Sequence, residues 1–204
     1  MTTCHIVGAG ENSPDIIPQK QAGDLLIAAD AGLLFLRSIG LVPDLFVGDG
    51  DSLGALPDDL PCAVLPRVKD DTDMLAAVRI GLDKGYRRFL LYGALGGNRF
   101  SHSIANLQTL SFLAEHGAEG AIVAPRATIT LLEKGDHTYD FTGGFFSLFS
   151  LETGAEVSVT GARYPLSHTA LTPAFPLGVS NEGSQNTRIT IHHGKVLLVR
   201  EKDR

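Results

Sequence analysis

Leu45-Phe46-Val47-Gly48-Asp49-Gly50-Asp51-Ser52 runs three apolar residues straight into a pair of aspartates spaced by glycine. The apolar run is short and uninterrupted, which predicts a strand covered on both faces. The acids then fall just beyond its carboxyl end, the edge of an open parallel sheet where ligands sit. Asp49 and Asp51 are two positions apart, so a tight turn through Gly50 can aim both carboxylates at one point. Outward from this stretch the same rhythm recurs. Residues 4–7, 25–28, 63–65, 89–92 and 121–124 form further short apolar runs, while 31–39, 74–84 and a segment starting near His102 have helical spacing. In the last of these, Ile104, Leu107, Leu110 and Ala114 fall within about a 120° arc. Short buried strands alternating with helices need crossover connections, and so predict a mostly parallel sheet.

After Pro125 the rhythm changes. Residues 128–131, 145–151 and 156–160 read as strands, punctuated by Gly143-Gly144, Gly154 and Gly161. Residues 188–193 and 195–199 flank Gly194 and predict a hairpin. No helical stripe of useful length remains, so this part is expected to be a small antiparallel sandwich or barrel. The chain is expected to divide into an α/β domain over 1–128 and a β domain over 129–204.

Composition narrows the function. The 204 residues carry a formal net charge of −6 and no basic tract, which argues against nucleic-acid binding and leaves phosphates to be held by metal ions or a few placed cations. Cys4 and Cys62 have no metal-type spacing and read as reduced thiols. There is neither a signal-peptide start nor an apolar stretch of about 20 residues to span a bilayer. A soluble, cytoplasmic protein is the expectation.

A second acidic group, Asp70-Asp71-Thr72-Asp73, lies between a predicted strand and a predicted helix, and Asp44 precedes the third strand. Acids at a helix start are commonly caps, and a lone Asp-x-Asp is a weak signal. Converging on one sheet edge, however, such carboxylates repel unless a cation intervenes. Mg²⁺ suits them, because it takes hard oxygen ligands together with substrate phosphates. No P-loop is present. Gly8-Ala9-Gly10 after the first strand is either a plain turn or a close backbone approach to a nucleotide. Gly93-Ala94-Leu95-Gly96-Gly97-Asn98-Arg99-Phe100-Ser101-His102 joins a strand to a helix start, leaves room for a ligand, and offers Arg99 as a fork for phosphate oxygens. His102 fits either a capping or a hydrogen-bonding role. His192 and His193 are adjacent on a predicted strand and should point to opposite faces, which speaks against their sharing a metal.

With these residues in hand, the sequence resembles the thiamine pyrophosphokinase (thiamine diphosphokinase) family. The likeness is carried, in order, by Ala29-Asp30-Ala31-Gly32, Gly40-Leu41-Val42-Pro43-Asp44, Gly48-Asp49-Gly50-Asp51-Ser52, Lys69-Asp70-Asp71-Thr72-Asp73, the stretch from Gly93 to His102, and Ala105-Asn106. It continues through Phe146-Ser147-Leu148-Phe149, Gly161-Ala162-Arg163-Tyr164-Pro165-Leu166 and Gly178-Val179-Ser180-Asn181-Glu182. The resemblance implies a Rossmann-like α/β nucleotide domain, a C-terminal antiparallel β-sandwich that binds thiamine and dimerises, and a homodimer with active sites between subunits. It also implies transfer of pyrophosphate from ATP, with Mg²⁺, to the hydroxyl of thiamine, giving thiamine diphosphate and AMP. Asp49, Asp51 and Asp73 become the metal-binding and catalytic acids. Asp30, Asp44, Ser52, Thr72, Arg99, His102 and Asn106 become substrate-binding residues, and Ser180 and Asn181 part of the thiamine pocket. Two positions depart from the family pattern: Gly50 replaces a phenylalanine, and Ser101 stands where an aspartate is common. With no tryptophan, stacking on thiamine would fall to Phe145, Phe146, Tyr164 or Phe175. The alternatives are a pyrophosphokinase for another heterocyclic alcohol, such as a pterin, and a non-catalytic thiamine- or nucleotide-binding regulator.

Overall fold

A computed structural model describes residues 1–66, 71–141 and 144–201. The chain forms two compact units, Met1–Pro125 and Arg126–Arg204.

In the first unit, β1 (Cys4–Val7), β2 (Leu25–Ala29), β3 (Leu45–Gly48), β4 (Cys62–Val64), β5 (Arg88–Tyr92) and β6 (Glu119–Val123) pair in parallel, in the order β6-β5-β1-β2-β3-β4. Three helices interrupt them: α1 (Gly32–Ser38), α2 (Asp73–Asp83) and α3 (Phe100–Glu115). Every residue of β1 is buried, which is why the central strands have no polar alternation. One core joins Val7, Leu26, Ala28, Leu33, Leu36, Phe46 and Tyr92. The strand order reverses between β1 and β5, and such a reversal opens a crevice at the carboxyl ends of the strands.

Helix α3 departs from the sequence expectation. Ile104 of the predicted apolar stripe is 50% exposed, while Ser103, Asn106 and Thr109 are buried beside Leu110 and Leu113. The polar residues turn inward because they have backbone partners: Gly96 N donates to Ser103 Oγ (3.0 Å), Asn106 Nδ2 to Ala94 O (2.7 Å) and Thr109 Oγ1 to Ala105 O (3.0 Å). Hydrogen-bond demand from the loop after β5 overrides the apolar stripe.

The second unit is antiparallel, built from β7 (Ala127–Leu132), β8 (Gly135–Tyr139), β9 (Phe145–Ser150), β10 (Ala155–Ala162), β11 (Leu166–Leu171), β12 (Gly178–His193) and β13 (Val196–Glu201). Strand order is β11-β10-β12-β9-β13-β7, with β8 also paired to β12. The sixteen-residue β12 serves two neighbourhoods. Its first part pairs with β9 and its second with β8 and β10. Side chains from both, including Phe146, Leu148, Val157, Ile189, Ile191 and Leu198, share one core.

The hairpin predicted around Gly194 does not form. By residues 187–191, β12 is already bonded on one side to β8 and on the other to β10, so it has no free edge for β13. Instead β13 inserts between β7 and β9. Gly194 makes the corner at φ 76°, where a Cβ would lie 2.9 Å from Ala155 Cα. Strands β8 and β11 escaped the sequence reading because their exposed polar residues hide any apolar alternation.

Candidate active site

The crevice at the strand reversal is a pocket of about 280 Å³. Its walls come from the loops after β1, β2, β3 and β5 and from the first turns of α2 and α3: Gly8 to Gly10, Ala29 to Ala31, Ser52, Asp73, Gly93, Arg99, His102 and Asn106 among them.

Two glycine-bearing loops are zipped together by their backbones. Gly8 N donates to Tyr92 O (2.8 Å), Gly10 N to Gly93 O (2.8 Å) and Glu11 N to Leu95 O (2.7 Å). A Cβ on Gly10 would lie 2.3 Å from Leu95 O, so only glycine permits this approach. Asn12 clamps the turn, donating from Nδ2 to Gly8 O and Gly10 O. Neither Asn12 nor Ser103 was singled out from sequence, since an isolated amide or hydroxyl carries no spacing signal.

The acidic residues are set by backbone geometry. Asp30 follows β2 with a left-handed φ of 51°, a conformation that aspartate tolerates better than most residues. Its N–H donates to Val47 O at 2.9 Å, which ties it to the end of β3. Gly50 has φ 78°, so its replacement of phenylalanine suits the turn. Asp51 N donates back to Asp49 Oδ1 (3.0 Å), and Asp51 opens a single 3-10 turn over Asp51–Leu53. As a result Asp30, Asp49 and Asp51 each bring a carboxylate oxygen within 4.8 Å of the others. Ser52 Oγ donates to Asp30 Oδ2 (2.9 Å), but the buried Asp30 Oδ1 has no hydrogen-bond partner. Burial, with the charges of Asp73 and Asp51 adding to it, pushes the Asp30 carboxyl above its ordinary range, against the Ser52 hydrogen bond.

The structure thus brings Asp30 into the carboxylate triad. Asp73, expected there from sequence, lies on the pocket wall at the first position of α2. Thr72 is the cap of that helix, its Oγ1 accepting from Leu75 N at 3.1 Å. Asp70 lies outside the described residues. Arg99 and His102 flank the amino end of α3, whose N-cap makes no side-chain hydrogen bond and whose first turn holds no acid. The N–H groups of such an end suit an anion. Burial, then the charge of Arg99, pushes the His102 imidazole below its ordinary value in spite of Asp73 and Asp30.

Other expected site residues sit elsewhere. Asp44 precedes β3, at the opposite end of the strand from Asp49, and its carboxylate accepts from Leu26 N (2.8 Å) and Lys20 Nζ (2.6 Å). In the second unit, the buried Asn181 amide is engaged with one backbone position, accepting from Tyr164 N (3.1 Å) and donating to Tyr164 O (2.8 Å). Ser180 is exposed with φ 55°, and its N–H donates to Ser147 Oγ. Phe146 is wholly buried and belongs to the core, whereas Phe145, Tyr164 and Phe175 are exposed.

A family model described as "Thiamin pyrophosphokinase, catalytic domain" matches residues 19–120, and one described as "Thiamin pyrophosphokinase, vitamin B1 binding domain" matches 129–198. The chain is 27% identical over 225 residues to a thiamine pyrophosphokinase of Bacillus subtilis (strain 168), covering 100% of both sequences. It superposes on a crystal structure of thiamine pyrophosphokinase from Bacillus subtilis with a TM-score of 0.83 at 23% identity, over 99% of this chain and 100% of that one. A thiamin pyrophosphokinase from Geobacillus thermodenitrificans gives 0.80 at 25%, over 98% of each chain. These structures share its mixed α/β fold.

Proposed function

The chain belongs to the thiamin pyrophosphokinase family, and from that premise we propose how its own residues carry out the transfer of pyrophosphate to thiamine. The observation that carries the reading is the triad of Asp30, Asp49 and Asp51 at the carboxyl edge of the parallel sheet, with one buried oxygen of Asp30 lacking a partner. Crowded carboxylates of this kind fit a hard cation, and the all-oxygen donor set suits Mg²⁺. In this reading the three aspartates hold Mg²⁺, which when bound supplies charge compensation to the phosphates of ATP.

The protein's own part is positioning. The loops over 8–10 and 93–97 present backbone close to the nucleotide, which is the role expected of a Rossmann-like unit at its strand reversal. Arg99 and the open amino end of α3 meet phosphate oxygens, with His102 held uncharged beside them as a hydrogen-bonding group. Asp73 faces the same pocket and is placed to accept the proton of the thiamine hydroxyl as that oxygen attacks the β-phosphorus and AMP leaves. Positioning and electrostatics supply most of the acceleration in such transfers. Ser180 contributes to the thiamine pocket, while Asn181 acts at one remove by fixing Tyr164.

Further parts of the reading concern assembly and setting. The antiparallel unit, read as a β-sandwich, exposes Phe145, Tyr164, Phe175, Leu177 and Val179, which supports a homodimer formed through it. Cys4 and Cys62 are free thiols, which supports a reducing, cytoplasmic setting. No helix among the described residues is long and apolar enough to cross a membrane.

The test is incubation with Mg²⁺, ATP and thiamine, with mass detection of thiamine diphosphate and AMP. Asp51→Asn is expected to lower turnover at least about 100-fold while circular dichroism stays unchanged. Full activity in that variant would remove Asp51 from the site. AMP release with a pterin alcohol but not with thiamine would reassign the acceptor.

A further inference from the structure

Glu156, His168 and His192 come from the adjacent strands β10, β11 and β12 and meet on the side of the antiparallel unit away from its core. Val157, Val159, Ile189 and Ile191 are buried, so Glu156, Ser158 and His192, one position out of step with them, project from the other face. Both histidines sit where the ladder is irregular. On β12, His192 is an extra residue between the pairs Glu156–His193 and Val157–Ile191. On β11, Ser167 and His168 together oppose the single Ser158, between the pairs Val157–Thr169 and Val159–Leu166. His168 takes a left-handed φ of 44°. Bulges re-aim side chains, and these two turn both imidazoles toward one carboxylate.

The result is a compact donor set. His168 Nδ1 is 2.6 Å from Glu156 Oε1, the two rings stack with centroids 4.0 Å apart, and one ligand atom from each residue lies within 4.8 Å of the others. Ser158 Oγ braces both histidines, accepting from His168 N (3.0 Å) and lying 2.8 Å from His192 Nε2. The neighbouring His193 is engaged differently, with Nδ1 3.0 Å from Gly154 O.

We propose that Glu156, His168 and His192 form a binding site for a borderline first-row divalent cation, with Zn²⁺ the type case. Two imidazoles and a carboxylate are donors for Zn²⁺, Co²⁺ or Ni²⁺, not for Mg²⁺, so the site differs in chemistry from the all-oxygen aspartate triad. Two parallel stacked rings cannot both direct their in-plane lone pairs at one ion, so at least one ring turns on binding. The His168 and Glu156 side chains are 67% and 41% exposed, so solvent-facing groups make that adjustment. Three protein ligands leave a fourth position to water.

The site is tested on the full chain by calorimetric titration with Zn²⁺ in excess Mg²⁺, and by the visible spectrum with Co²⁺. One Zn²⁺ per chain is expected, along with intense visible bands for Co²⁺. His192→Gln and His168→Asn (asparagine tolerates the left-handed backbone) should each weaken binding about 10-fold or more, while His193→Gln keeps wild-type affinity. Glu156→Gln, isosteric and exposed, serves where a histidine variant fails to fold. The proposal is overturned if the wild type takes up no Zn²⁺, if these variants bind as tightly as it does, or if His193→Gln loses as much.

Discussion

The two ends of the parallel sheet use aspartate in opposite ways. At the amino end, Asp24 and Asp44 stand just before β2 and β3, and each is furnished with partners. Asp24 accepts from Thr3 N, Gln21 N and the His5 ring, and Asp44 from Leu26 N and Lys20. At the carboxyl end, Asp30, Asp49 and Asp51 crowd one another, and a buried oxygen of Asp30 has no partner. Acids at the first end are supplied with donors by the fold and hold it together. Acids at the second are held close against their mutual repulsion, an arrangement that fits the proposed cation between them.

The largest effect should come from exchanging the roles. Asp30→Asn removes a desolvated charge, so turnover should fall at least about 100-fold while the thermal midpoint rises. A variant that loses both activity and stability would place Asp30 with the structural acids. Gly10→Ala attacks the scaffold at the same end: its methyl group would meet the carbonyl oxygens of Leu95 and Gly93 at 2.3 and 2.6 Å. A cost of about 1 to 3 kcal/mol and a raised KM for ATP are expected from denaturant unfolding and steady-state kinetics. Asp44→Ala is the mirror experiment. Leu26 N loses its acceptor, so stability should drop by about 1 to 2 kcal/mol, with kcat per folded molecule unchanged.

The smallest effect concerns protons at the amino end. Burial holds the His5 imidazole below its ordinary 6.5 in spite of Asp24. A depressed value means that the unfolded chain binds the proton more readily, so this contribution is whole above pH 6.5 and is lost as pH falls through the folded value. For Asp24, burial is outweighed by the Thr3 and Gln21 N–H groups and His5, which hold its carboxyl below 3.8. Its contribution is therefore lost only in more acid solution. Thermal midpoints measured downward from pH 6.5 should fall less steeply in His5→Gln than in the wild type.

The same contrast explains what could be read from sequence. Strands β1, β2, β3 and β5 were legible because burial on both faces leaves continuous apolar runs, and Asp49 and Asp51 because a glycine between acids after such a run is a local signal. Asp30 was placed from sequence as a substrate-binding residue outside the metal-binding set, because its approach to Asp49 depends on pairing between β2 and β3 and on a left-handed backbone. Asp44 was placed among the substrate-binding residues by resemblance alone, and nothing in its spacing shows that its carboxylate meets Leu26 N and Lys20 before β3 instead. In α3 the apolar stripe misled because the inward face answers the backbone of the loop after β5. The false hairpin at Gly194 has a similar origin. A glycine between two β-rich runs marks a reversal, but whether the runs pair depends on edges already taken by β8 and β10.

Strand β12 also governs the order of events during synthesis. Its partners β8, β9 and β10 all precede it in the chain, and its Ile189 and Ile191 join the core that holds Phe146, Leu148 and Val157. Until residues 178–193 have left the ribosome, those side chains lack the strand that joins their sheet partners. The nascent antiparallel unit is therefore a sticky intermediate whose exposure lasts as long as translation of its final third. Slow codons placed before residue 178 would prolong that exposure and raise aggregation or chaperone demand, whereas the parallel unit, whose strands are all made by residue 123, would be indifferent to them.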